Sequence, residues 1–229
     1  MKRTLPEVEE AGPSPPLPFP AGEIVRVLAP LVTEARLSRI DSVIARRTRS
    51  LVPVLEGLID PHNGAAILRS ADAFGCHEVH VVQGRLPFAI SHRVSKGTHR
   101  WLDIVESASA TECVSRLRGR GYRVFVASME GTTTPEELGA VDKVAVVLGN
   151  EHAGPSEEMR ALADGTYRIP MVGFVESLNV SVASAITLYV ASRGRHGDLD
   201  PAAQSEIRAR FLMAQVRDAD RLLRDQLGG

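Results

Sequence analysis

Residues 169–190 read IPMVGFVESLNVSVASAITLYV. The stretch opens like a buried strand, passes Pro170 and Gly173, shows Glu176, Ser177 and Asn179, and then becomes an apolar helix. Hydrophobic residues would pack more simply at that junction. Polar side chains at a strand-to-helix turn make sense if other parts of the chain bring polar groups to the same place.

The segments upstream have the same rhythm. LVPVLEGL, from Leu51, reads as a strand, NGAAILRSADAFG as a helix closed by Gly75, and EVHVV as a second strand. WLDIV is a third strand, followed by a helix over 111–120, strands YRVFVAS and KVAVVLG, and a helix starting near Pro155. The short strand YRIPM and a helix over 179–192 complete the alternation. Strands alternating with helices of this length predict an α/β fold: a mostly parallel sheet with helices on both faces. Ligands in such sheets sit beyond the carboxyl ends of the strands. Four polar or glycine-rich segments fall there: DPHNGAAILRS, ASMEG, LGNEHAGPS and GFVESLN.

Residues 1–30 hold seven of the fourteen prolines and read as an extended, disordered lead outside the fold. Residues 31–50 form a basic helix, with Leu37, Ile40, Val43 and Ile44 at helical spacing and Arg36, Arg39, Arg46 and Arg47 on the other face. That face is either solvated or an electrostatic footprint for phosphates. The sheet domain spans 51–195, and a charged helical tail, read as one helix over 201–227, occupies 196–229.

Composition excludes several classes. Cys76 and Cys113 make neither a disulfide framework nor a metal spacing, so a reducing cytoplasm is the default and no metal is expected. No run is long and apolar enough to predict a membrane span. The net charge of −1 means that nucleic-acid binding would rest on local patches. Neither a dinucleotide fingerprint nor a P-loop occurs, and no serine-hydrolase elbow appears. His62, His77, His80 and His152 read as ordinary polar positions.

Singly, each polar segment has a plain structural explanation. Asn179 and Ser177 suit a helix N-cap, Gly154 suits a turn, and Arg69 can snorkel from a core helix. Together, PHNGAAILRSADAFG, VVLGNEHAGPS and IPMVGFVESLNVSVASA resemble the three ordered motifs of the SPOUT RNA 2′-O-ribose methyltransferases. Within that superfamily the basic leading helix, SKGTHRW and the charged tail are most similar to the TrmH type, the tRNA guanosine-18 methyltransferases.

The resemblance, from about residue 31 to the end, implies a C-terminal deep trefoil knot, a homodimer, S-adenosylmethionine as cofactor and tRNA as partner. It places cofactor binding at Ser128, Gly131, Leu148, Gly149, Asn150, Ile169, Met171 and Leu178, and chemistry at Arg69, Asn63, Glu151, Ser177 and Asn179. Basic residues for RNA phosphates would be Arg36, Arg39, Arg46, Arg47, Arg49, Arg93, Lys96, Arg100, Arg208, Arg210 and Arg217. Methylation of ribosomal RNA by the same chemistry and a non-catalytic RNA-binding module are the alternatives.

The proline-rich lead generates the first test. Deletion of residues 1–20 is expected to leave the thermal midpoint within a few degrees of the full chain, and a larger drop in calorimetry would show that the lead packs on the fold.

Overall fold

Strands buried on both faces are what a run such as LVPVLE can support, and six of them form one parallel sheet. The computed structural model describes residues 8–10, 16–84, 89–91 and 98–228. Strand β1 (Val8–Glu10) precedes helices α1 (Ala21–Leu28) and α2 (Glu34–Ile44). Then come β2 (Leu51–Glu56), α3 (Pro61–Ala73), β3 (Glu78–Val82), β4 (Ala89–Ser91) and β5 (Asp103–Ser107). They are followed by α4 (Ala110–Gly119), β6 (Arg123–Ala127), α5 (Pro135–Gly139), β7 (Val144–Leu148), α6 (Glu157–Leu162) and β8 (Gly165–Tyr167). The described chain finishes with α7 (Val180–Ser192), α8 (Pro201–Gln215) and α9 (Ala219–Leu227).

The sheet order is β5-β3-β2-β7-β6-β8 with every pairing parallel. Side chains from α3, α5 and α7 (Ile67, Leu68, Leu138, Leu188) pack on one face. Those from α4 and α6 (Cys113, Val114, Leu117, Met159) pack on the other. The layering is that of an α/β fold, as the alternation predicts. A separate short ladder pairs β1 with β4 in antiparallel sense.

The chain divides into two compact units. The first, with residues 49–195 and 1–13, contains the sheet. The second combines residues 14–48 with 196–229 and is helical. Within it α1 packs on α8 and α9, and α2 on α8. Arg36 Nε donates to Gln215 Oε1 at 2.8 Å, Arg208 Nη2 to Asp41 Oδ2 at 3.0 Å, and Thr48 Oγ1 to Asp198 Oδ2 at 2.7 Å.

Several sequence expectations shift. Residues 21–28 are helical rather than extended, because Ile24, Val27 and Leu28 recur at helical spacing and are buried. Val8–Glu10, also inside the supposed lead, lies in the short ladder, and the remaining residues of the lead up to 15 fall outside the described set. Helix α5 was missed although TPEELG carries its signal, with Thr134 and Glu137 forming a reciprocal capping box. The tail is two helices, because Asp218 adopts φ 56° and breaks the run. Strand β8 stops at Tyr167, short of the expected YRIPM, where Pro170 offers no N–H to a ladder. The third strand starts at Asp103 rather than Trp101, and α6 starts after Ser156 caps Met159 N.

The arginine set also changes. Arg47 is 1% exposed and not available to a phosphate, because α2 has ended at Ile44 and the chain has turned inward. Arg49 lies 3.4 Å from Glu78, and Arg210 pairs with Glu206 at 2.8 Å. Arg39, Arg46, Arg100 and Arg217 are exposed, whereas Arg93 and Lys96 lie outside the described residues.

At the amino end of β3, Glu78 receives both Nη atoms of Arg120, at 2.7 and 2.8 Å. His77 and Asp103 bring ligand-type atoms within 4.8 Å of it, but its carboxylate is committed to arginine. Burial works to raise the Glu78 pKa, and the bonds from His80 and Arg120 overcome this and hold it far below the usual carboxylate range. A depressed folded-state pKa gives stability above the unfolded value that is lost as pH falls. Glu78→Gln should therefore cost on the order of 1–3 kcal/mol at pH 7, discounted because the Arg120 side chain is 36% exposed. Urea titrations at pH 7 and pH 3 should show the variant losing less stability on acidification than the parent.

Candidate active site

The carboxyl ends of β6, β7 and β8 open onto one cleft of about 1030 Å³. Its floor depends on Gly149. A Cβ there would stand 2.1 Å from Pro155 N and 2.3 Å from Gly154 C, so only glycine lets the strand end meet the loop that follows. Asn150 then closes that loop. Its backbone pairs with Gly154, its Oδ1 accepts from His152 N (2.9 Å) and Ala153 N (3.0 Å), and its Nδ2 donates to Gly57 O at 2.8 Å.

Glu151 stands next to it and reaches the other side. Its carboxylate accepts from Ile59 N and Asp60 N, both at 3.1 Å, and from Asn63 Nδ2 at 3.0 Å. Burial opposes its ionisation, but the bonds from Asn63, its own backbone, Ile59 and Asp60 prevail and lower its pKa. Asn63 is 8% exposed and in turn accepts Asn179 Nδ2 at 3.2 Å. Asn179 also caps α7, with Oδ1 accepting Ser181 N at 2.8 Å and Ser181 Oγ at 2.6 Å. The strand-to-helix junction before α7 is polar because it carries both a helix cap and a link to α3.

Ser128, Leu148, Gly149, Asn150, Ile169, Met171 and Leu178 line the cleft, together with Glu151, Ser177 and Asn179. Gly131 does not. It is buried behind the wall, where a Cβ would come within 2.2 Å of Tyr167 C, and it permits a backbone crossing rather than a ligand contact. Asn63 is one layer back and reaches the cleft through Glu151 and Asn179. Arg69 sits on the exposed side of α3, two turns beyond Asn63 and outside the lining. Cys113 offers no nucleophile, because burial pushes its thiol up to about 12.

Sequence reading missed three parts of this end of the sheet. Arg160 and Arg168 line the cleft. Glu56, at the end of β2, accepts Ser156 N at 2.9 Å and Ser156 Oγ at 2.6 Å, tying the start of α6 to the sheet. The available signals were a glutamate ending an apolar strand and a serine directly before a pair of acids.

The SpoU rRNA Methylase family matches residues 50–189, the stretch that contains the whole cleft. The chain belongs to this family. The SpoU chain is 40% identical over 164 residues to the tRNA (guanosine(18)-2′-O)-methyltransferase of Thermus thermophilus, covering 71% of its own length and 84% of the relative. The enzyme of the same name from Escherichia coli is 35% identical over 161 residues, with 70% of each chain covered. Among solved structures, the Aquifex aeolicus TrmH/SpoU tRNA modifying enzyme superposes with a TM-score of 0.73 at 27% identity, covering 81% of this chain and 98% of that one. The SpoU methyltransferase AviRb from Streptomyces viridochromogenes, in complex with AdoMet, gives 0.56 at 30% identity over 66% of this chain and 63% of that one. The six-stranded parallel sheet with helices on both faces matches the fold of these neighbours.

Gly149→Ala tests the floor of the SpoU cleft. The added methyl meets backbone on two residues, so a loss of roughly 2–4 kcal/mol is expected, within the range for overpacking and forced backbone shifts. Equilibrium unfolding measures it, and a change below about 0.5 kcal/mol would mean that the loop moves aside freely.

Proposed function

We propose that this SpoU methylase transfers a methyl group from S-adenosylmethionine to the ribose 2′-hydroxyl of a guanosine in tRNA, position 18. The observation that carries the reading is the Glu151–Asn63–Asn179 network in a chain 40% identical to a tRNA (guanosine(18)-2′-O)-methyltransferase.

The cleft suits the cofactor. Its volume is at the upper end of small-molecule sites. Leu148, Ile169, Met171 and Leu178 supply apolar walls for an adenine, and backbone groups at Gly149 and Asn150 supply polarity without a phosphate cradle. When bound, S-adenosylmethionine supplies an electrophilic methyl on a sulfonium. The protein's part is to align a weakly nucleophilic hydroxyl and manage its proton.

Glu151 and Asn63 fix the loops after β7 and β2 relative to each other, and Ser177 and Asn179 order the ribose at the lip of the cleft. Arg69 grips the phosphate beside that ribose and stabilises the developing alkoxide. A guanidinium with pKa above about 12 does not serve as a general base, so Arg69 acts through charge and a forked pair of donors. Phosphate contacts from exposed arginines such as Arg39 and Arg217 position the tRNA.

The protein acts as a homodimer in this reading. Val182 and Tyr189 on α7 are 46% and 54% exposed, and the Tyr189 ring packs tilted against Phe74 with centroids 5.5 Å apart, so an apolar face is available for a symmetric copy. The C-terminal part of the sheet domain is knotted as in the SPOUT superfamily. The backbone crossings that require Gly131 and Gly149 are consistent with that path.

Arg69→Ala should reduce single-turnover methylation of tRNA roughly a hundred- to a thousandfold while donor affinity stays near that of the parent. Arg69→Lys should rescue little, because a point charge does not reproduce the fork. Normal turnover in Arg69→Ala would remove this residue from the site. Labelled methyl appearing in ribosomal RNA and not in tRNA would redirect the substrate. Light scattering should give twice the 24.7 kDa chain mass, and a monomer at assay concentration would reject the dimer.

A further inference from the structure

We infer that Arg160, assisted by the charge of Arg168, forms an anion-holding end of the cleft that takes the carboxylate of the methyl donor's amino-acid tail. The inference rests on the proposed use of the cleft for S-adenosylmethionine.

Arg160 lies on α6 and Arg168 just beyond β8, and both line the cleft. Arg160 Nε donates to Pro155 O at 3.1 Å, which uses one of its five N–H groups and anchors the guanidinium to the Gly149–Pro155 loop. Its Nη2 lies against Gly154, where a Cβ would stand only 3.1 Å away, so the glycine leaves the fork its room. Among the described residues neither Arg160 nor Arg168 has a carboxylate partner. The arginines of α4 and its C-cap differ: Arg116 pairs with Glu112, Arg118 with Asp164 and Arg120 with Glu78. Three acids line the same cleft: Glu151 is committed to Ile59, Asp60 and Asn63, while Glu130 and Glu176 stand on the segments after β6 and before α7.

A concave wall focuses the field of two unpaired cations, and a guanidinium fork matches a carboxylate in two parallel bonds. The donor carries a cationic sulfonium, an ammonium and a neutral adenine. Its carboxylate is its one anionic group. The RNA phosphate beside the reacting ribose has a separate partner in Arg69, and Arg160 is fixed to the same loop that presents Gly149 and Asn150 to the donor.

Calorimetric titration of the full chain, without RNA, tests this with two probes. S-adenosylhomocysteine keeps the amino-acid tail, and 5′-methylthioadenosine lacks it. Arg160→Gln should weaken S-adenosylhomocysteine roughly ten- to a hundredfold, the range for a charge-assisted pair, and leave methylthioadenosine within twofold. Arg168→Gln should shift the first ligand in the same direction by less. Equal weakening of both ligands would make Arg160 a support of the loop and overturn the inference. Unchanged donor binding with a raised KM for tRNA would make it a phosphate contact and overturn it as well. Failure of the parent protein to bind either probe would sink the reading of the cleft itself, an outcome distinct from a parent that binds both and a variant that discriminates neither.

Discussion

One carboxylate holds the working end of this sheet together. Glu151 accepts two hydrogen bonds from the segment between β2 and α3 and a third from Asn63 in the first turn of α3, and Asn63 passes the connection on to Asn179 at the start of α7. The two side-chain links span 88 and 116 residues of chain. Without them the loops after β2, β7 and β8 would be three neighbouring turns rather than one surface. Ionised acceptors make stronger bonds than neutral ones, and Glu151 stays ionised through the neutral range because its donors outweigh its burial. The glycine at 149 complements this link, since it lets the β7 end approach Pro155 closely enough to place Glu151 where its donors are.

The elements that were legible in the sequence were those whose signal is local and repeated. The runs LVPVLE, EVHVV and VAVVL are short and rich in valine and leucine, and the structure buries them in the sheet, including Glu56, Glu78 and His80. Asn179 read as a cap and is one. The failures came where tertiary context reverses a local cue. Proline density hid α1, although Ile24, Val27 and Leu28 carry a helical period. Arg47 looked like one more member of a basic face until the end of α2 turned it inward. Gly131 was assigned to a ligand, whereas the atoms that forbid a side chain there belong to Tyr167 and Arg168. Arg160 and Arg168 carried no sequence signal at all, because what singles them out is a missing partner, and partners are a property of the fold.

The near-neutral total charge conceals a division of labour among the arginines. Arg120 and Arg118 neutralise acids on the far side of the sheet. Arg195 donates to main-chain carbonyls at Leu138, Val141, Asp142 and Ala191, and so closes the carboxyl ends of α5 and α7. Those side chains are spent on architecture. Among the described residues, Arg39 on α2 and Arg160 and Arg168 in the cleft show no ion pair, which is why a chain with net charge −1 can still present positive potential where an anion must be held.

The order of strands has a consequence for how the protein is made. Strand β2 lies at the centre of the sheet and is hydrogen-bonded along Leu51–Leu55 to β7, which is synthesised about ninety residues later. At elongation rates of about 5–20 residues per second that interval lasts roughly 5–20 seconds. β3 is available early and covers one side of β2, but the other side remains an open, apolar, parallel edge throughout. Such an edge is a template for pairing with any extended chain. In a crowded translating polysome, the nearest identical edge belongs to the neighbouring nascent copy, and the chain's own second half has to arrive before that neighbour does.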